Sequence, residues 1–143
     1  MNPPFGIGAA LCLGSLAAPA AAVCTVTPQG VSFGSYDPLS ATALDSAGNV
    51  NVTCDVLTSF TVSLSAGSSG SFAERRMTAG TTYLAYNLYI DLLRTIVWGE
   101  GLLNSNVTAT GTNVDLPVYG RMSALQNVSA NTYADALTVT VTY

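Results

Sequence analysis

Hydrophobic and polar residues alternate with a period of two along much of the chain. In residues 49–56 every second residue is apolar, and the residues between them are Asn, Thr and Asp. A strand with one face in the core and the other in solvent has this pattern, because successive side chains point to opposite faces. Similar alternation recurs in residues 60–66, 84–90 and 137–143. These four segments are predicted to be half-buried strands.

Shorter strand-like segments lie between turn-forming residues. They are residues 24–27, 31–34, 95–98, 106–110 and 114–121. A bend or bulge is predicted at Leu92-Leu93 and a loop at residues 125–131. After residue 22 no window shows a sustained period of 3.6, so no long helix is predicted. Seven to nine short strands with frequent turns are typical of an all-β fold, here an immunoglobulin-like antiparallel β-sandwich of two sheets.

The last predicted strand runs to the final residue of the sequence. No later segment of this sequence is therefore available to pair with its outer side. If the strand lies at a sheet edge, its unpaired N–H and C=O groups form a docking site for a strand of another chain.

Residues 1–22 have the features of a cleaved export signal. Residues 5–22 are uncharged, and they end in Ala18-Pro19-Ala20 and Ala20-Ala21-Ala22, which both match the small-x-small pattern of a cleavage site. The alternative is a membrane anchor, but Gly and Ala contribute little to insertion and Pro19 disfavours a continuous helix. We expect a signal peptide at 1–22 and one mature domain at 23–143.

The mature domain would retain two cysteines, Cys24 and Cys54. Two cysteines in an exported chain usually pair, because the compartment is oxidising. Closing a loop of this length stabilises a fold by about 3 to 4 kcal/mol in the chain-entropy model. Redox catalysis and zinc binding are the alternatives, but the chain has no Cys-x-x-Cys and two thiols do not complete a zinc site. We predict a structural disulfide.

Charge and composition exclude several functions. Charged residues make up 8% of the chain, hydrophobic residues make up 49%, and the formal net charge is −4. Nucleic-acid binding needs clustered cations, which four dispersed arginines do not supply. The chain has no histidine, the commonest general base and metal ligand, and its carboxylates are isolated in sequence. We therefore expect no enzyme, no catalytic residue, no metal and no small-molecule cofactor.

An ordered set of motifs covers essentially the whole mature chain. In chain order they are VSFGSYDPL at 31–39, VTC at 52–54, RM at 76–77, LAYNLY at 84–89, VWGEG at 97–101, VYGR at 118–121, YAD at 133–135 and VTVTY at 139–143. Together they resemble the spore coat protein U domain family, which includes the subunits of archaic chaperone-usher pili. The resemblance implies an incomplete immunoglobulin-like sandwich that lacks its last strand.

The same resemblance implies a mode of assembly. In such pili a periplasmic chaperone lends a strand to the open groove of the subunit, and a neighbouring subunit later replaces it at an outer-membrane usher. The protein would pass through the periplasm, reach a pilus on the cell surface and support adhesion or biofilm formation. We predict that this groove is lined by Val31, Phe33, Leu137, Val139 and Val141. The alternative for each of these residues is an ordinary place in the core.

Shaft subunits of such pili carry a donor segment ahead of their first cysteine. Here cleavage after residue 22 would leave only Val23 before Cys24, which predicts a tip or terminal subunit that accepts a strand without donating one. The alternative function is a self-complete secreted coat component or glycan-binding module. In a glycan-binding module, Trp98 would stack on a sugar ring. The alternative for Trp98 is an ordinary place in the core. Arg75 and Arg76 are predicted either to bind an anion or to protect a strand edge.

Overall fold

The computed structural model describes residues 20–101 and 105–143, so most of the predicted signal peptide lies outside the described residues. The strands are β1 (Cys24–Gln29), β2 (Leu44–Leu64), β3 (Arg75–Ala79), β4 (Thr82–Tyr89), β5 (Val107–Met122) and β6 (Val139–Thr142). A single 3-10 turn at Gly67–Ser69 is the helical element of the described ranges. Those ranges contain no helix with the length and apolar character needed to cross a membrane.

All strand pairs are antiparallel and belong to one sheet, in the order β1-β2-β5-β4-β3. β6 joins the edge of β2 that also carries β1, further along the strand: β1 pairs with residues 49–54 and β6 with residues 61–64. A bridge between Thr78 and Ala134 connects β3 to the chain that leads into β6. The sheet therefore curls back on itself. The predicted all-β antiparallel class is confirmed, and the curled sheet is consistent with an incomplete immunoglobulin-like pilin fold.

The longest strand, β2, combines two segments that were predicted to be separate. Residues 49–56 and 60–66 fall largely within it, and both halves pair with β5, which likewise joins two predicted strands. The pairing shifts register between Thr53 and Thr58. This irregularity interrupts the alternation, so Val56, predicted on the buried face, is 52% exposed. β2 and β5 are each continuous because they pair with one another along both of their halves. The local sequence pattern does not reveal such long-range pairing.

Other parts of the predicted strand pattern also differ from the structure. Residues 31–34 form no strand, and residues 95–98 form only isolated bridges. β3 was not predicted, because Met77 is its one large apolar residue and the other large side chains in it are arginines. The described ranges thus hold six strands in one sheet rather than seven to nine in two. The chain changes direction at Leu92-Leu93 in a turn, where a bend or bulge was predicted, and the loop at residues 125–131 is confirmed.

The core lies on the concave face of the curled sheet. Its most buried members are Val50, Val52, Cys54, Phe60, Val62, Leu64, Leu84, Tyr86, Leu88, Trp98, Leu116, Val118 and Met122. Trp98 is fully buried and its indole N–H donates to the carbonyl of Val62 at 3.0 Å. Trp98 is therefore a core residue, and the sugar-stacking alternative is wrong for it.

Arg75 is a fully buried cation, so both predictions made for it are wrong. Its guanidinium donates from Nε and Nη2 to the carbonyl of Ser65, at 3.0 and 2.8 Å, and from Nη2 to the carbonyl of Trp98 at 2.6 Å. Nη1 donates to Asn87 Oδ1 at 2.7 Å. Burial lowers the pKa of Arg75, and these acceptors stabilise the charged form. Arg75 thus joins β3 and β4 to the chain after β2.

Candidate strand-accepting groove

An open groove lies between two segments at the edge of the sheet. One wall is the end of β1 with the chain that follows it, and the other is the C-terminal stretch that leads into β6, together with the first residue of β6. Two adjoining cavities of about 520 and 280 Å³ form the groove. Both are lined by Val31, Met77 and Asp135, which therefore mark the waist where the two halves of the groove meet.

The two halves differ in polarity. The smaller half, on the β6 side, has apolar walls and an apolar floor that include Val31, Val50, Leu64, Val118, Leu137 and Val139. The larger half is lined by Phe33, Tyr36, Met122 and Tyr133, and also by polar residues such as Ser129, Asn131 and Thr132. An occupant that extends along the whole groove therefore meets an apolar surface at one end and a mixed one at the other.

The first wall packs closely on the sheet because two glycines leave room for it. A Cβ atom at Gly120 would lie 2.7 Å from the ring of Phe33 and 3.0 Å from Val31. At Gly48 it would lie 2.7 Å from the carbonyl oxygen of Gln29. The Ser46 hydroxyl donates to the carbonyl of Ser32 at 2.5 Å and ties the wall to β2. The glycines in β2 and β5 thus set the depth at which Val31 and Phe33 lie.

The second wall keeps the period-two pattern of its sequence. Tyr133, Asp135, Leu137 and Val139 are partly buried, and the residues between them are exposed. Asp135 thus points inward among apolar residues. The Tyr86 hydroxyl donates to Asp135 Oδ2 at 2.6 Å, and the Ser68 backbone N–H donates to Oδ1 at 2.9 Å. Burial, and then the hydrogen bond to Asp135, raise the pKa of Tyr86, so its hydroxyl stays protonated and donates.

Both walls have backbone groups without partners in the sheet. Within the described residues, β6 pairs with β2 alone, so its second edge is open. Residues 30–35 form no backbone–backbone hydrogen bond in the part of the chain described here. A groove with open backbone edges on both sides has the geometry that an added strand completes.

Four of the five predicted groove residues lie together in the groove. Val31 lines both halves, Phe33 the larger one, and Leu137 and Val139 the smaller one. Val141 lines neither: it pairs with Val62 of β2 and packs against the core. Whether these residues contact a donor strand stays a prediction.

Sequence reasoning missed Met77 and Asp135 at the waist. Nothing local marks Met77, which lies in the unpredicted strand β3. Asp135 did have a signal, because it occupies an inward position of the alternation through Tyr133, Leu137 and Val139. An acidic residue at such a position indicates a polar contact within the groove.

A disulfide fixes the start of the first strand. Cys24, the first residue of β1, is bonded to Cys54 of β2 with an S–S distance of 2.05 Å, and the two residues are direct partners across the strands. The predicted disulfide is thus present. Among the described residues, no three His, Cys, Asp or Glu side chains are grouped so that they could hold a metal ion.

Comparison with known proteins places the chain in a family. Residues 11–140 match the model of the Spore Coat Protein U domain. The chain is a member of the Spore Coat Protein U domain family. This Spore Coat Protein U domain is 34% identical over 128 residues to Protein U of Myxococcus xanthus, with 79% of the chain and 71% of that protein covered.

A solved structure shares the fold. It is a chain in the crystal structure of the CsuC–CsuE chaperone–tip adhesion subunit pre-assembly complex, from the archaic chaperone-usher Csu pili of Acinetobacter baumannii. The TM-score is 0.59 at 24% identity, and the match covers 86% of this chain. The Spore Coat Protein U domain spans 40% of the length of that chain. The Cys24–Cys54 disulfide is of a kind that forms and persists in oxidising, extracytoplasmic compartments.

Proposed function

We propose that this Spore Coat Protein U domain is a non-enzymatic subunit of a chaperone-usher pilus that is assembled by donor-strand complementation and supports adhesion or biofilm formation. The observation that carries the proposal is the groove. It has an apolar floor, and both of its walls have backbone groups without sheet partners among the described residues. A strand from another chain satisfies both features at once.

Two contributions favour insertion of a donor strand. Alternate side chains of the strand would cover Val50, Leu64 and Val118, which contributes about 25 cal/mol for each Å² of apolar surface removed from water. The strand's own N–H and C=O groups would pair with the open edge of β6 and with residues 30–35. A groove left empty keeps this apolar surface in water, so the subunit needs a partner throughout its path.

The proposal includes partners and a route. A periplasmic chaperone fills the groove first, an outer-membrane usher receives the complex, and a neighbouring pilus subunit supplies the final strand. The similar fold found in a chaperone–tip adhesion subunit complex supports this order. We also propose that residues 1–22 are removed as a signal peptide and that residues 23–143 form the domain that reaches the cell surface.

The position of the subunit in the pilus depends on its mature N-terminus. A subunit with a donor segment ahead of Cys24 also donates a strand and belongs to the shaft. A subunit without such a segment accepts a strand only and belongs at the tip or at another terminal position. Intact mass of the exported protein measures the length of this segment directly.

The second candidate is a self-complete secreted coat component, a role favoured by the 34% identity to Protein U and by the family's description as a spore coat domain. Such a protein folds as a stable monomer without a partner, whereas an incomplete pilin does not. Partner dependence therefore separates the two candidates.

The test is expression in the periplasm with and without a chaperone of the archaic chaperone-usher class, followed by size-exclusion chromatography. We expect soluble protein as an equimolar complex that depends on the chaperone. Val139→Asp, in the groove, should abolish the complex, and Thr140→Asp, at the adjacent exposed position, should retain it. A stable wild-type monomer without chaperone would instead establish the self-complete coat component.

A further inference from the structure

The waist of the groove combines two apolar residues with one carboxylate. Val31, Met77 and Asp135 line both halves, so any strand that runs the length of the groove passes all three. Asp135 lies one inward position before Leu137 on the second wall. A side chain of the donor strand that points inward at this level therefore has to fit a mixed environment.

Asp135 lines the groove and keeps hydrogen-bonding capacity beyond its two contacts in the structure. Each carboxylate oxygen accepts one hydrogen bond, from the Tyr86 hydroxyl and from the Ser68 N–H. An ionised carboxylate offers about four acceptor positions, so two stay available. In the described ranges, the salt bridges of the arginines involve Glu74 and Asp45, so Asp135 makes none, and the buried Arg75 attracts Asp135 only from beyond contact distance. The approach of Asp135 to Gly67, which has a positive φ of 69°, fixes the carboxylate against the turn after β2.

The donor side chains that could occupy the waist differ in how they meet these groups. A valine would pack on Val31 and Met77, but it would remove water from Asp135 without replacing its hydrogen bonds. An aspartate would place a second negative charge beside the first. A threonine has nearly the shape of valine, so its methyl group packs on the two apolar residues while its hydroxyl donates to Asp135.

We propose that Asp135 is a specificity-determining residue of the groove, which selects a donor strand with a threonine at the waist and apolar residues at alternate positions on the β6 side. This inference rests on the proposed function, since it concerns the strand that the groove accepts. The threonine sets the register of the donor strand, because shifting the strand by two residues would place an apolar side chain against the carboxylate.

The probe is a series of synthetic peptides of about ten residues, the length of strand needed to follow the groove wall. Inward positions are Val and outward positions are Ser or Lys, and a single Thr is moved along the inward positions. Each peptide competes for the chaperone-bound full-length protein, and the half-maximal concentration for displacing the chaperone is measured. We expect one Thr position to improve competition about tenfold over the all-Val peptide.

Substitution at the waist separates specificity from folding. Asp135→Asn keeps the shape of the side chain and leaves the Tyr86 hydroxyl and the Ser68 N–H within reach, and it should reduce the Thr preference at that one position. Thr140→Ser, on the exposed face of β6, is the matched control and should leave the preference intact. The thermal midpoint of each chaperone complex shows whether a variant has lost its fold.

The outcomes distinguish the inference from the function on which it rests. Peptides that all compete equally, whatever the position of Thr, would overturn the role of Asp135 and leave donor-strand binding established. Peptides that never displace the chaperone, together with a stable free monomer, would overturn both. A Thr preference that persists unchanged in Asp135→Asn would assign selectivity to another residue and refute the inference.

Discussion

Arg75 and Arg76 are neighbours in β3 with opposite environments. Arg75 lies in the core among acceptors from three segments, whereas Arg76 pairs with Glu74 at 2.9 Å on the surface and lies 4.1 Å from the ring centroid of Tyr83. A buried cation is stable only while its hydrogen bonds are complete, because its partners cannot turn to water. The two arginines are therefore a natural pair for comparison.

The first prediction concerns this pair. Arg75→Ala leaves the carbonyls of Ser65 and Trp98 unpaired in the core, so the free energy of unfolding should fall by about 3 kcal/mol. Arg76→Ala should leave the urea midpoint nearly unchanged, because exposed ion pairs contribute little. The fluorescence of Trp98, the single tryptophan of the chain, reports unfolding. Equal midpoints for the two variants would contradict this account of Arg75.

The second prediction concerns the glycine beneath the first groove wall. Gly48→Ala would bring a methyl group within 2.7 Å of the backbone carbonyl of Gln29, which cannot move without shifting β1. The free energy of unfolding should fall by about 1 to 3 kcal/mol. Gly30→Ala meets no atom within 4 Å and is the control. If both variants unfold at the same urea concentration, the wall does not lie as close to the sheet as described.

At the scale of elements, alternation along the chain was a good guide to strands with one exposed face. It located β4, β6 and both halves of β2. It did not show that those halves are continuous, because continuity depends on pairing with β5 rather than on local pattern. β3 was not predicted because its inward position holds an arginine, Arg75, rather than an apolar residue. The burial of Arg75 depends on hydrogen-bond acceptors in distant segments, which the local pattern does not show.

The groove was predictable only in part. The resemblance to a known family pointed to Val31, Phe33, Leu137 and Val139, which the fold brings together. The polar contact at the waist joins Tyr86 to a residue 49 positions later, and no short-range rule relates the two. Contacts of this kind depend on how the sheet curls, which is a property of the whole fold.

The third prediction tests the connection between β1 and β2. Replacing Cys24 and Cys54 together by Ser opens a loop with a sequence separation of 30 residues, which gives the unfolded chain more freedom. The free energy of unfolding should fall by about 3 to 4 kcal/mol. The comparison is made by urea titration of the double variant against the oxidised wild type. An unchanged midpoint would show that the β1–β2 ladder alone holds the first strand.

At the scale of the whole molecule, a small number of charges determines how stability depends on pH. The pKa of Asp45 is lowered mainly by its hydrogen bond from Arg121, at 2.7 Å. Hydrogen bonds from the Thr95 side chain lower the pKa of Asp91, and those from Asn51 and Asn49 lower that of Asp115. Each carboxylate therefore stabilises the fold above its unfolded pKa, and that stability is lost as pH falls through the folded pKa.

The fourth prediction follows from these shifts. The thermal midpoint should be nearly constant from about pH 5.5 to 7, since the chain has no histidine, and should fall below about pH 4. A variant carrying Asp45→Asn, Asp91→Asn and Asp115→Asn should have a lower thermal midpoint than the wild type at pH 7. Its midpoint should fall less than that of the wild type when the pH is lowered. Calorimetry at a series of pH values measures both curves. If the thermal midpoints of the wild type and the variant fall in parallel with pH, titratable groups other than these three carboxylates cause the acid sensitivity.

The position of the disulfide also determines how the domain responds to a mechanical pull. Cys24 is the first residue of β1, and its partner lies in the longest strand of the sheet. Tension applied to the chain ahead of Cys24 therefore passes through a covalent bond into β2, and the hydrogen bonds between β1 and β2 are not peeled apart one by one. Under oxidising conditions the first strand resists extension from its N-terminal side, and after reduction the same force unzips it from Cys24 toward Gln29.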